Sequence, residues 1–175
     1  MGFYVTSPPS SNDLGVIATG TLGSANATIS ATIPSGYRYL KAILSGVVTG
    51  DAGVNSIVKM RINGVTSNYL SRSWYSQTTT YGADTGASTD GIAVLSVQIG
   101  EAMQVIICAD IVAPSGHGKN VYADGSATEE ATESTTLRVF SMGQSDDTAE
   151  VTSISFVLGG STWTTASKIS VMGFR

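Results

Sequence analysis

Residues 58–75, VKMRINGVTSNYLSRSWY, decide the fold class. Val58-Lys59-Met60-Arg61-Ile62 alternates apolar and charged residues, the period-2 pattern of a half-buried strand. Asn63-Gly64 interrupts the alternation, and both residues tolerate the positive φ that a type I′ turn requires. With Asn68-Tyr69-Leu70 and Trp74-Tyr75 as the return strand, the stretch predicts a β-hairpin. Aromatic and amide side chains crowd the far side of its turn. Sugar-binding sites have that composition, and so do surfaces that pack against another subunit.

The same period runs outward in both directions. Apolar alternation recurs at 14–22, 27–33, 37–48, 91–99, 135–142, 150–158 and 167–174, with Gly, Ser, Asn and Pro between the segments. The run AMQVIICADIV at 102–112 is apolar on both faces, as a strand between two layers would be. No window shows helical i, i+3, i+4, i+7 spacing. One open sheet could not bury these apolar faces, so the expected fold is all-β: an antiparallel jelly-roll-like β-sandwich over residues 14–175. A short extended N-terminal arm, 1–13, precedes it. The expected core is Leu40, Leu44, Met60, Ile62, Val94 or Leu95, Ile106, Ile154, Phe156 and Ile169. Residues 76–90 and 113–134 read as long polar loops, the lengths at which loops tend to carry function.

Composition narrows the function. The chain has 175 residues, enough for one all-β domain with a real core. Only 13% are charged while 42% are hydrophobic, so the surface is built from hydroxyls, amides and glycine without the chain being disordered. Such a surface is either solvated or covered by partners. A net charge of -4 with no basic stripe disfavours nucleic acid, and no apolar run reaches a membrane span. The first residues lack the basic and apolar regions of a secretory signal. Cys108 is the only cysteine and reads as a small buried hydrophobe.

The chain offers little for catalysis. His117, the single histidine, sits between glycines; Ser115 with Asp110 or Asp124 has no triad spacing around it. Glu129-Glu130 and Asp146-Asp147 read as solvated turn acids more readily than as the two carboxylates of a glycosidase. Asp51, Asn55 and Asp84 offer oxygen to a calcium ion but lack any calcium-loop spacing. No catalytic residue, metal or cofactor is therefore assigned. The aromatics are the remaining constellation. Phe3, Tyr4, Val5, Tyr69, Trp74 and Tyr75 are candidate subunit-interface residues, and Trp74, Tyr75 and Trp163 alternatively contact a glycan.

Four pieces occur in a recognisable order. They are Pro34-Ser35-Gly36-Tyr37-Arg38-Tyr39-Leu40; Met60-Arg61-Ile62-Asn63-Gly64 with Asn68-Tyr69; Lys119 in a polar loop; and a Ser153-Ile154 strand followed by Gly160, Ser161 and a terminal Ser167-Lys168-Ile169-Ser170-Val171-Met172-Gly173-Phe174. In this the chain resembles minor virion structural proteins of tailed bacteriophages: head decoration, head-fibre or tail-associated β-sandwich proteins. Those carry a Pro-x-x-Tyr-x-x-Leu strand, a strand ending Phe-Asn-Gly-Asp and a close on Ser-x-Ile-x-Leu-Tyr-Gly. Val65 and Met172 depart from that pattern. The resemblance implies a non-enzymatic protein made in the bacterial host cytoplasm and carried on the virion. It further implies a homo-oligomer, with a homotrimer expected, docked on the major capsid protein or another virion protein. Host glycan is the alternative partner. The apolar arm Gly2-Phe3-Tyr4-Val5 ahead of the Pro8-Pro9 spacer suits insertion into a neighbour.

Overall fold

A computed structural model of the chain describes residues 15–50, 54–77, 80–84, 90–99, 102–129 and 136–175. The expected arm at 1–13 lies outside them. Among the described residues, thirteen strands run in the order β1 (Val16–Thr21), β2 (Thr28–Thr32), β3 (Tyr39–Gly50), β4 (Val54–Ile62), β5 (Tyr69–Gln77), β6 (Thr80–Asp84), β7 (Ile92–Ile99), β8 (Met103–Val112), β9 (Lys119–Glu129), β10 (Thr136–Ser145), β11 (Ser153–Leu158), β12 (Ser161–Trp163) and β13 (Lys168–Phe174). They form two antiparallel sheets: a larger one ordered β1-β13-β3-β8-β9-β10-β5-β6, with β12 also on β3, and a smaller one ordered β2-β11-β4-β7.

This is a jelly roll with insertions. The chain alternates between sheets through β1, β2, β3 and β4, and again from β7 to β8 and from β11 to β13. Those strands give the two four-stranded faces, β1-β13-β3-β8 and β2-β11-β4-β7, of a jelly-roll sandwich. Two further hairpins widen one face only. β5-β6 enters between β4 and β7, β9-β10 enters between β8 and β11, and together they extend the larger sheet beyond its β8 edge.

The core follows the sequence alternation. In β3, Leu40, Ala42, Leu44 and Val48 are buried, while Lys41 and Ser45 point out. In β11, Ile154, Phe156 and Leu158 are buried as expected, as are Met60, Ile62, Val94, Leu95 and Ile169. Ile106 is a correction: it is 56% exposed. β8 alternates buried and open positions, and among the described residues its outer row has no second layer above it. Cys108 lies in that row and is half-buried rather than enclosed.

Three other expectations change. Asn63 and Gly64 do adopt positive φ, 55° and 66°, and the Val65 amide closes the turn onto the Ile62 carbonyl at 3.1 Å. The flanking strands, however, do not pair. β4 joins the smaller sheet and β5 the larger, so the turn is an arch between layers and not a hairpin. The polar stretch beginning at 113 contains β9, and the one beginning at 76 contains the end of β5 and all of β6.

The extension is thin on its inner side because β7 runs close beneath it. A Cβ at Gly125 would lie 2.9 Å from the Val94 carbonyl oxygen, and one at Gly143 would lie 2.5 Å from the Ile92 side chain. Absence of a side chain at both positions is what allows this approach.

Candidate binding surface

The outer face of the extension is built in register. Across β5, β10 and β9, one row reads Arg72, Met142, Tyr122; the row on one side reads Leu70, Gln144, Asn120; the row on the other reads Trp74, Phe140, Asp124. Neighbouring strands lie about 4.8 Å apart, so each row spans about 10 Å. Trp74 is 44% exposed and Tyr122 43%. The Trp74 ring leans on Phe140, with centroids 6.2 Å apart and planes at 37°, which restricts its rotation. At the corner, Asp124 accepts two hydrogen bonds from the Arg138 guanidinium, the shorter 2.6 Å. Between these rows runs an open groove of about 560 Å³, floored by Met142 and bordered by Arg72, Trp74, Asn120, Tyr122 and Gln144.

Apolar exposure concentrates on this sheet. Besides the groove residues, Ile106, Tyr39 and Phe174 stand on the same outer face, and Tyr39 and Phe174 are cross-strand partners. Val16 and Met172, paired across β1 and β13, lie beside them. The face therefore has two apolar areas, one on the inserted strands and one next to β1.

The candidate residues separate on this frame. Trp74 is placed on the surface. Tyr75 points to the opposite face of the same strand, its ring packed over Gly82 on β6, so it does not share a platform with Trp74. Tyr69 is corrected from interface to core: it is 2% exposed, and its hydroxyl both accepts from the Ile62 amide at 2.9 Å and donates to the Ile62 carbonyl at 3.2 Å. Trp163 is corrected likewise. It is fully buried, and its indole Nε1 donates to the Phe156 carbonyl, so no glycan can reach it. Phe3, Tyr4 and Val5 lie outside the described residues.

Among the described residues, no catalytic set assembles around the other candidates. His117 is exposed in a turn. Asp110 is engaged by Lys41 at 2.8 Å, and Asp124 by Arg138. Asp147 accepts from Asn63 Nδ2 at 2.7 Å and from the Ala149 amide at 2.9 Å, a local structural role. Among the described residues no three His, Cys, Asp or Glu side chains form a metal-binding group. Asp51, Glu130 and the side chains of Asn55, Asp84 and Glu129 lie outside what is described.

Lys119, expected in a loop, opens β9 and is buried at 1% exposure beside Ser145, which in turn pairs with Tyr69. Its ammonium donates to the His117 carbonyl at 2.6 Å. Burial pulls its pKa below the ordinary lysine value, and the nearby Asp147 carboxylate opposes the shift. The folded chain therefore releases this proton more readily than the unfolded chain does. Between the lowered pKa and 10.5 the unfolded state binds more protons, so this residue's contribution to stability rises with pH. Urea unfolding of the native chain and Lys119→Met should show the difference moving in favour of the native chain as pH climbs toward 10.5. Movement in the other direction would contradict the burial argument.

Arg72, Asn120, Tyr122, Met142 and Gln144 escaped the sequence reading. A signal was present. In β10 the outward Arg138, Phe140, Met142 and Gln144 are larger than the inward Val139, Ser141 and Gly143, the reverse of an ordinary half-buried strand.

No family model and no curated protein matches the sequence. Among solved structures, one similar chain is a protein of unknown function from Shewanella oneidensis MR-1. It is 13% identical, the match covers 95% of this chain and 74% of that one, and the TM-score is 0.25. A likeness at that level carries no argument.

Proposed function

We propose that this chain is a non-enzymatic structural protein of a tailed-phage virion, attached as a homo-oligomer to the major capsid protein or another virion protein. The observation that carries this reading is the uncovered apolar area beside β1. Tyr39 and Phe174 are 53% and 37% exposed, with Val16 at 57% next to them. Exposed apolar area of this kind marks a contact with another protein. β1, whose first residue Val16 belongs to the patch, is the edge strand of the larger sheet and follows the proposed arm in sequence, so arm and patch would engage one neighbour together. The low charged fraction and the resemblance of the sequence to phage decoration proteins support the same reading. A trimer is the state we favour, because capsid shells present three-fold positions.

Tyr39→Ser combined with Phe174→Ser should shift the protein toward monomer in sedimentation while leaving its unfolding midpoint nearly unchanged. Deleting residues 1–9 should leave the sandwich folded and weaken attachment to particles lacking the protein. A full-length chain that sediments as a monomer at micromolar concentration, with undiminished particle binding by the truncated chain, would remove the proposal.

A second reading, carbohydrate recognition on a virion, is favoured by the groove on the inserted strands. It does not compete for the same area. Met142 on β10 lies three strand spacings across and two residues along from Tyr39 on β3, about 16 Å away.

A further inference from the structure

We infer that the groove on β5, β9 and β10 binds an acidic saccharide, with Arg72 receiving its carboxylate. The inference deepens the carbohydrate reading and is independent of how the protein attaches to a virion. Sugars present two chemistries at once: ring faces of C–H groups, and hydroxyls that need donors and acceptors. Aromatic rings serve the first, and amides, which donate and accept from one planar group, serve the second. The groove supplies both within one three-by-three lattice of outward positions. Trp74 and Tyr122 stand on different strands and in different rows, flanking Met142. Gln144 and Asn120 are register partners and place two amides side by side along one border. The volume, about 560 Å³, falls within the roughly 300–1,000 Å³ of ordinary ligand sites.

The charge arrangement selects an acid. Arg72 is exposed, borders the groove and makes no ion pair among the described residues, unlike Arg138, Lys41, Lys59 and Arg61. Its planar fork fits a carboxylate through two parallel hydrogen bonds. The one carboxylate in the lattice, Asp124, is already held by Arg138 and so opposes an anionic ligand less. Preorganisation is visible as well, since Phe140 supports the Trp74 ring before any ligand arrives. The whole site is carried by the inserted strands. The four-stranded jelly-roll faces contribute none of its border, which is how a site is commonly added to an existing fold.

The test is titration calorimetry of the full chain with sialyllactose and trigalacturonic acid, against lactose and maltotriose as neutral counterparts. The expected result is a clear preference for the acids. Trp74→Ala should abolish binding of every saccharide, and Arg72→Gln should weaken the acids about tenfold while leaving neutral sugars unaffected. Lys168→Gln, which removes an exposed cation on β13 of the same sheet, should change nothing. Circular dichroism and unfolding midpoints confirm that each variant is folded. Folded protein that binds none of the four saccharides would overturn the inference. So would equal binding of acids and neutral sugars with Arg72→Gln silent, because the site would then not be acid-selective. If Trp74→Ala instead dissociates an oligomer, the groove is a subunit contact and the saccharide assignment fails. The saccharide-binding outcomes leave the attachment proposal untouched, because its variants lie on β3 and β13; dissociation by Trp74→Ala would move the subunit contact from the β1 side to the groove.

Discussion

Trp163→Ala is expected to destabilise the protein by about 3–5 kcal/mol, the range for removing a fully enclosed large aromatic. The ring is buried where β12 of the larger sheet meets the smaller one, and its indole donates to the Phe156 carbonyl at 3.2 Å. The Trp163 backbone is tied as well, exchanging hydrogen bonds of 2.8 and 3.1 Å with Asn26. Truncation would leave a cavity and remove the indole's hydrogen bond to β11. Trp163→Phe should cost less, about 1–2 kcal/mol, because the ring volume largely remains and chiefly the hydrogen bond is lost. The chain contains two tryptophans, so Trp74 remains as a surface fluorophore in the alanine variant. Urea unfolding followed by circular dichroism measures the loss directly. A cost below about 1 kcal/mol for the alanine variant would show that the enclosure is not real. Any saccharide-binding defect in that variant should track its unfolding and vanish under conditions where it is folded.

Trp163 also shows where sequence stops being informative. A tryptophan in a short Ser/Thr-flanked segment reads equally well as a platform or as a plug, and only the packing of β12 against β11 decides. Fold class was legible because two-sided alternation in 37–48 and 150–158 needs two layers. The jelly-roll pairing was legible only as a class. Asn63-Gly64 reports its own backbone angles and says nothing about which sheet the next strand will join. The inserted strands were hidden for a different reason. Their inward residues are Val121, Ala123, Gly125 and Ala127 on β9, kept small because β7 passes close beneath. Small inward residues weaken the apolar alternation until a strand resembles a polar loop. Ile106 shows the converse: an apolar side chain in a core-like run stands on a face that no layer covers among the described residues. Those two misreadings have one cause, the open outer face of the larger sheet. Large residues outside and small ones inside are the trace of a sheet whose outer face serves something other than the core.

The arch at Asn63 is the second position where a single substitution should have a large effect, and two variants separate its causes. Asn63 is half-buried with φ of 55°, and its side chain ties the arch to the segment entering β11. Its Oδ1 accepts from the Thr152 amide at 2.7 Å and the Ser153 amide at 3.3 Å, while Nδ2 donates to Asp147 at 2.7 Å and to the Glu150 carbonyl at 2.9 Å. Asn63→Gly keeps the backbone conformation at no steric cost and loses these four contacts and a fifth, the 3.2 Å hydrogen bond from the Thr152 hydroxyl to Oδ1. With each net hydrogen bond contributing about 0.5–1.5 kcal/mol, and some of these groups able to turn to water, the expected loss is about 2–3 kcal/mol. Asn63→Ala loses the same contacts and must also hold a Cβ in the left-handed region, adding about 1 kcal/mol. The expected order is therefore native, then Asn63→Gly, then Asn63→Ala, measured as urea midpoints at constant slope. The order of the two variants carries the argument. If alanine proved the equal of glycine, the left-handed backbone would not be what selects asparagine at the arch. If both stayed within about 0.5 kcal/mol of the native chain, the side-chain tie to β11 would contribute nothing, and the crossing between layers would be held by the strands alone.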